Sequence, residues 1–353
     1  MTRISPLGPL TVNRRALLMA GVGAALCPHY AFGQAPALLV PPPDPDAPEA
    51  PAAIISNGLV SATLLLPDPA IGYYRGTRFD WSGLVARLEV GGHSYFGRWF
   101  ADYDPKKHDA VMGPAQDWVT GQGFEQAEVG GTFVKVGVGV LRKPAEPIRG
   151  FPTLEIVDPG TWTVTTRVDA VEFLHEVNDP LSGYGYRYHK TVLLPTGLPE
   201  LVLEQRLEAT GPNPIDTQMY NHNFFVLDRQ PSGPDIEITF PFELEPFNMR
   251  GDAVKLTGNR INYVKPVEGS VRMQIRGFGD QAADNAIRVE NRATGAGVLV
   301  TTDKPLSDLV FWSSPTTTCP EAYIHVRAEP GQPMKWQTRY QFYSLAEGAA
   351  GRP

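Results

Sequence analysis

Cysteine is nearly absent from this chain, with only Cys27 and Cys319 among 353 residues. A disulfide-stapled fold is thereby excluded, so stability must come from a buried core. The length permits one, in either one large all-β domain or two ordinary ones. Excess basic charge is also missing. Lys and Arg number 31 against 38 Asp and Glu, a net charge of -7 that leaves no footprint for nucleic acid and is too modest for a disordered acidic chain. No His-x-x-x-His, paired-cysteine or EF-hand spacing occurs, and the Gly-x-Gly triplets at 121–123 and 137–139 lack a following helix. The Gly-x-Ser-x-Gly elbow of serine hydrolases is absent too. No metal and no cofactor is expected. Helical periodicity is the last shortage, since no segment carries a convincing amphipathic 3.6-residue pattern.

What is present is turn chemistry and alternation. Gly 35 and Pro 34 are both above ordinary usage, as suits many turns between short strands. At the N-terminus, Asn13-Arg14-Arg15 precedes an apolar run from Leu17 to Leu26 that is too short to span a bilayer. This pattern resembles a twin-arginine export signal, with Ala31-Phe32-Gly33 as the cleavage site. It implies the twin-arginine export machinery as a partner, a periplasmic or secreted location, and no integral membrane segment after signal removal. Residues 34–52, with Pro41-Pro42-Pro43-Asp44-Pro45, read as a semi-extended linker. A single folded domain is expected over 53–345, followed by a tail at 346–353.

The domain opens with Ile54-Ile55-Ser56-Asn57-Gly58-Leu59-Val60, a strand, an Asn-Gly turn and a second strand. Alternation then predicts strands at 85–90, 132–141, 161–168, 184–194, 201–209, 235–240, 253–256, 270–275, 286–291, 297–302, 308–311, 322–327 and 335–343. More than a dozen strands without a fixed-period repeat predict an all-β fold, a large antiparallel sandwich.

Within that pattern stands Tyr220-Asn221-His222-Asn223-Phe224-Phe225. Neutral imidazole exchanges protons near neutral pH, flanking amides donate and accept without charge, and aromatic rings offer faces to a sugar. A histidine in a strand-like run equally serves as a hydrogen-bonded structural group. The segment Asn221-His222-Asn223-Phe224-Phe225-Val226-Leu227 resembles the Asn-His-Thr-Tyr-Phe-Asn-Leu segment of aldose 1-epimerases, the galactose mutarotase family. Cys319-Pro320-Glu321-Ala322, with the later turn at Pro330-Gly331, resembles the end of such proteins. Arg75-Gly76-Thr77-Arg78 falls where the family has an early Gly-x-Arg strand. The resemblance covers roughly residues 53–345 and implies a β-supersandwich binding a sugar or glycan, with His222 as acid and Glu321 as base. Ring opening needs a base at the anomeric hydroxyl and an acid at the ring oxygen, so a carboxylate and a histidine on opposite sides of a pocket suffice.

Other residues are candidates for the same pocket. Arg75, Arg78, Trp81, His108, Asn221 and Asn223 are the candidate sugar contacts; two arginines three apart cannot share one face of an ideal strand, so one of them pairs elsewhere. Lys135 reads as a solvated strand position, Glu321 without the resemblance as a solvated strand end, and His175 and His325 as structural. Three functions remain open. One is a mutarotase-type isomerase; a second is a polysaccharide lyase or glycoside-cleaving enzyme, with arginine neutralising a uronate; the third is a non-catalytic sandwich in which Trp81, Trp99 and Trp118 stack on sugars.

Overall fold

Residues 50–345 are described by the structure, a computed structural model; the expected export signal, most of the linker and the C-terminal tail lie outside them. β1 (Ala52–Ser56) and β2 (Val60–Leu65) form the expected hairpin. Its turn works because Gly58 takes φ 86° while Asn57 Oδ1 accepts from the backbone N–H groups of Leu59 and Val60. β3 (Leu84–Val90) and β4 (His93–Phe96) extend this pair to a four-stranded sheet. β5 (Ala115–Trp118) follows, and then β6 (Thr132–Lys135), β7 (Gly139–Arg142) and β8 (Ile156–Asp158) make a three-stranded meander.

The rest of the chain builds two large sheets. Along it come β9 (Thr161–Thr166), β10 (Ala170–Asp179), β11 (Tyr184–Leu193), β12 (Glu200–Ala209) and β13 (Ile215–His222). Next are β14 (Ile236–Thr239), β15 (Glu245–Arg250), β16 (Val254–Thr257), β17 (Arg260–Tyr263) and β18 (Val271–Arg276). The last are β19 (Ala286–Asn291), β20 (Ala296–Thr302), β21 (Asp308–Ser314), β22 (Thr317–Ala328) and β23 (Met334–Ser344). Ten strands pair in the order β16-β17-β14-β19-β20-β23-β12-β11-β10-β9, and six in the order β15-β18-β21-β22-β13-β5. All ladders between these strands are antiparallel, and no α-helix occurs among the described residues.

Alternating side chains close the layers. Phe173, Leu203, Val289 and Phe342 of the ten-stranded sheet share one core cluster with Met273, Leu309 and Phe311 of the six-stranded sheet. The other face of the six-stranded sheet is covered as well, by Tyr73, Tyr74, Phe79, Trp81 and the meander residues Phe133 and Leu141. That second covering matters for function, because it roofs the end of β13 that carries His222.

Three expectations change. The segment 132–141 is a hairpin, because the chain turns at Val136–Val138 with Gly137 at φ 76°. β22 starts at Thr317, so Glu321 sits inside a twelve-residue strand and is 5% exposed, where a strand end open to water was expected. Strands β4, β5, β8, β10, β13, β15 and β17 are absent from the expected set; of these β10 and β13 form central parts of their sheets, with polar residues such as His175 and Thr217 buried among their apolar ones.

Candidate functional site

Register places the chemistry. β5 pairs with β13 so that Asp117 faces Tyr220 and Ala115 faces His222, while β13 pairs with β22 so that Tyr220 faces Tyr323. Side chains alternate with a period of two, so Asp117, Tyr220 and Tyr323 form one row across three strands. In the next row on the same face, His222 lies beside Glu321, Nε2 to Oε1 3.3 Å.

The first row floors a cavity of about 510 Å³. Arg78 and Lys135 lie on the same floor, and Thr120, Phe124, Phe151 and Leu154 are among its walls. Arg78 Nε donates to Asp117 Oδ2 at 3.0 Å and its Nη2 to Tyr220 Oη at 3.1 Å. Lys135 Nζ donates to Asp117 Oδ1 at 3.3 Å, and Tyr220 Oη donates to Asp117 Oδ2 at 3.1 Å. The Tyr220 and Tyr323 rings stack with centroids 4.2 Å apart, and Tyr323 Oη donates to Glu321 Oε2 at 3.3 Å. Each tyrosine therefore joins the cavity to a different carboxylate.

Those carboxylates are driven apart. Burial pushes Asp117 up, but Lys135 and Arg78 together outweigh it and hold its carboxyl below the usual range. Glu321 has no such close cation: burial raises it to about 8, with Arg78 and Arg272 opposing only in part. Burial likewise holds His222 well below its ordinary value, with a smaller contribution from Arg78. The floor thus carries an acid held low, Asp117, and behind it stands an acid held high, Glu321, against an imidazole held low.

His222 is boxed by rings. Phe224 stacks on it at 3.7 Å, and Phe79 and Trp312 meet it edge-on at 5.8 and 5.4 Å. Its Nδ1 has no hydrogen-bond partner among the described residues. To stack there Phe224 takes φ 44°, an unfavourable angle for a bulky residue, held by its N–H to Cys319 Sγ at 3.2 Å and by mutual backbone bonds of Phe225 and Thr318. Gly113 packs under the same bend, where a Cβ would lie 1.8 Å from the carbonyl oxygen of Asn223.

The structure brings together His222, Glu321 and Arg78 and keeps the remaining candidates apart from them. His222 and Glu321 touch directly and do not line the cavity, so no sugar ring can lie between them on opposite sides. Arg75 Nη1 donates to Gly72 O at 2.6 Å and braces its own loop, while Arg78 takes the cavity. Trp81 is buried, with Nε1 donating to Gly76 O at 2.8 Å. Asn221 faces the opposite sheet, where Nδ2 reaches Thr338 Oγ1 at 3.4 Å, because it is one residue out of phase with His222. Asn223 is buried, its Nδ2 donating to Pro320 O and its Oδ1 accepting from Tyr340 Oη. His108 lies behind the rim, its ring 5.4 Å from Phe151 and its Nε2 3.6 Å from Asp109. Trp99 and Trp118 also pack internally, so no indole stacks into the cavity.

Sequence reasoning missed Asp117, Lys135, Tyr220 and Tyr323 as site residues. Period-two spacing from His222 and Glu321 is the signal that finds the tyrosines. Nothing local marks Asp117, whose cations arrive from Arg78 and from the meander.

No protein-family profile matches the chain, and no curated protein matches it in sequence. Solved structures do. A protein of Synechocystis sp. PCC 6803 superposes with a TM-score of 0.52 at 14% identity, covering 86% of this chain and 98% of that one. A putative aldose 1-epimerase of Escherichia coli K12 gives 0.52 at 13% identity, covering 84% and 100%. A galactose mutarotase-like protein of Clostridium acetobutylicum gives 0.52 at 12%, covering 84% and 96%. The chain has the galactose mutarotase-like β-sandwich fold.

Proposed function

We propose that this chain is a carbohydrate-active protein of the aldose 1-epimerase type, exported on its Asn13-Arg14-Arg15 leader, that exchanges protons with a sugar held in the Arg78–Asp117–Tyr220–Tyr323 cavity. The observation that carries this reading is the stacked tyrosine pair, with one hydroxyl tied to Asp117 between two cations and the other to the buried Glu321, whose carboxyl burial raises. Groups whose environments drive their proton affinities apart are suited to act as base and acid on one substrate. Asp117 takes the proton of the anomeric hydroxyl, and Tyr323, its hydroxyl turned from Glu321 Oε2 to the substrate, gives its proton to the ring oxygen. The bond from C1 to the ring oxygen breaks as the C1 carbonyl forms, and Glu321 restores the proton of Tyr323. Closure on the other face of C1 returns both protons. His222 is a positioning residue here: neutral, stacked on Phe224 and in contact with Glu321, it keeps that carboxyl from solvent and orients it.

The cavity volume lies within the range of small-molecule sites. Polarimetry of freshly dissolved aldoses and uronic acids tests the reading. The protein is expected to accelerate the decay of optical rotation, and Tyr323→Phe and Asp117→Asn each to lower that rate by roughly a hundredfold or more while remaining folded. A rate equal to buffer with every sugar overturns it.

A further inference from the structure

The hydrogen-bond inventory of the cavity floor does not close. Arg78 uses Nε on Asp117 and Nη2 on Tyr220, and among the described residues its Nη1 has no hydrogen-bond partner. The Lys135 ammonium has Asp117 as its one polar partner among the described residues, which leaves two of its three protons unused. The charges do not close either. Two cations face one carboxylate, and the side chains concerned are only 10% exposed for Arg78, 13% for Lys135 and 6% for Asp117. Glu125, the other acid lining the cavity, is exposed at its mouth, where water screens it. Glu321 lies behind Tyr323 and outside the cavity, and burial raises its carboxyl to about 8, which weakens its share of the counter-charge at neutral pH.

The surroundings raise the cost of leaving this charge alone. Phe124, Phe133, Leu141, Ile148 and Leu154 line the cavity, and the Phe151 ring covers one face of the Arg78 guanidinium at 3.7 Å from its carbon. Among apolar walls a unit charge interacts far more strongly than in water, and a guanidinium covered on its face still offers its edge to a planar anion. A neutral sugar satisfies donors but leaves the net positive charge in place. A carboxylate does both, accepting from Arg78 Nη1 and from the free protons of Lys135.

We infer that the cavity selects a sugar bearing a carboxylate, a uronic acid in place of a neutral hexose, with Lys135 and Arg78 Nη1 holding the carboxylate. This substrate class rests on the sugar-site reading above. The selectivity is local, because the chain as a whole carries a net charge of -7 and does not steer anions from a distance.

Isothermal titration of the purified protein with D-glucuronate, D-galacturonate, D-glucose and D-galactose tests it. The uronates are expected to bind roughly tenfold or more tighter than the matching neutral hexoses. Lys135→Met should remove that preference and Lys135→Arg should retain it, with melting curves recorded for both variants to show that they are folded. Equal affinity for uronates and hexoses overturns the inference while leaving the sugar site standing. Full preference in a folded Lys135→Met variant overturns the assignment of Lys135. Binding of none of the four at tens of millimolar removes the sugar-site reading, and the inference with it.

Discussion

Replacing Glu321 by glutamine preserves the shape of the side chain and removes its titration. In the folded protein burial beside His222 and Tyr323 lifts the carboxyl from 4.5 to about 8, whereas in the unfolded chain it ionises near its ordinary value. The native state therefore keeps a proton that the unfolded state loses between those two pH values. Stability is fully present below pH 4.5, falls as the pH climbs towards about 8, and then levels off. At about 1.4 kcal/mol per pH unit, the loss reaches roughly 3 kcal/mol at pH 7 and approaches 5 kcal/mol above pH 8. Glu321→Gln does not undergo this loss. Urea unfolding of both proteins from pH 4 to 9 measures the difference directly, and an unchanged slope against urea shows that the unfolded states match. The expected result is equal stability near pH 4.5 and a variant more stable by roughly 3 kcal/mol at pH 7, alongside a loss of sugar isomerisation. A difference that stays constant across the whole pH range would mean that Glu321 is ionised when folded, and would remove the proton donor from the mechanism.

Two further predictions concern groups outside the cavity. Lys190 and Asp80 form a fully buried ion pair at 3.1 Å, with Lys190 Nζ also donating to Ser82 O at 2.8 Å; Lys190→Met should cost about 3–5 kcal/mol in denaturant unfolding, and the further change Asp80→Leu should recover much of it. No recovery in the double variant would show that packing, and not the stranded carboxylate, sets the cost. His175 stacks on Trp162 at 3.8 Å and contacts Pro159 O and Tyr186 Oη, and burial lowers it to about 3. Its folded value lies below the unfolded one, so its contribution is present above about pH 6.5 and is lost progressively as the pH falls towards 3. Its ring-proton NMR shift should stay flat from pH 8 to 5, and a titration step in that window refutes the assignment.

The same residues show how far local pattern reaches. Strands β14, β16, β18, β19, β20 and β23 follow the alternation closely, because inward and outward faces leave a period of two in the sequence wherever one side packs and the other meets water; β15, exposed along most of its length, and the short β17 were not expected. The Asn57-Gly58 hairpin was legible for a similar reason: its turn is local. Lys190 was not, since it follows Tyr186 and Tyr188 on a buried face where only Asp80, far away in sequence, makes a lysine tolerable. Glu321 looked like an open strand end because the expected strand begins only at 322, and it is pairing with β21, Phe311 opposite Pro320, that carries the strand back through the proline.

By itself the sequence determined an all-β chain, its strand periodicity, and the presence of a histidine and a glutamate resembling those of aldose 1-epimerases. Tertiary structure decided what they do. Register set Tyr220 and Tyr323 between the His222–Glu321 pair and the cavity, and the meander delivered Lys135 to Asp117. Proton affinity and charge balance depend on distances between groups far apart along the chain, on the Coulomb and desolvation energies that those distances fix. Residue order alone does not contain those distances until the sheets have paired.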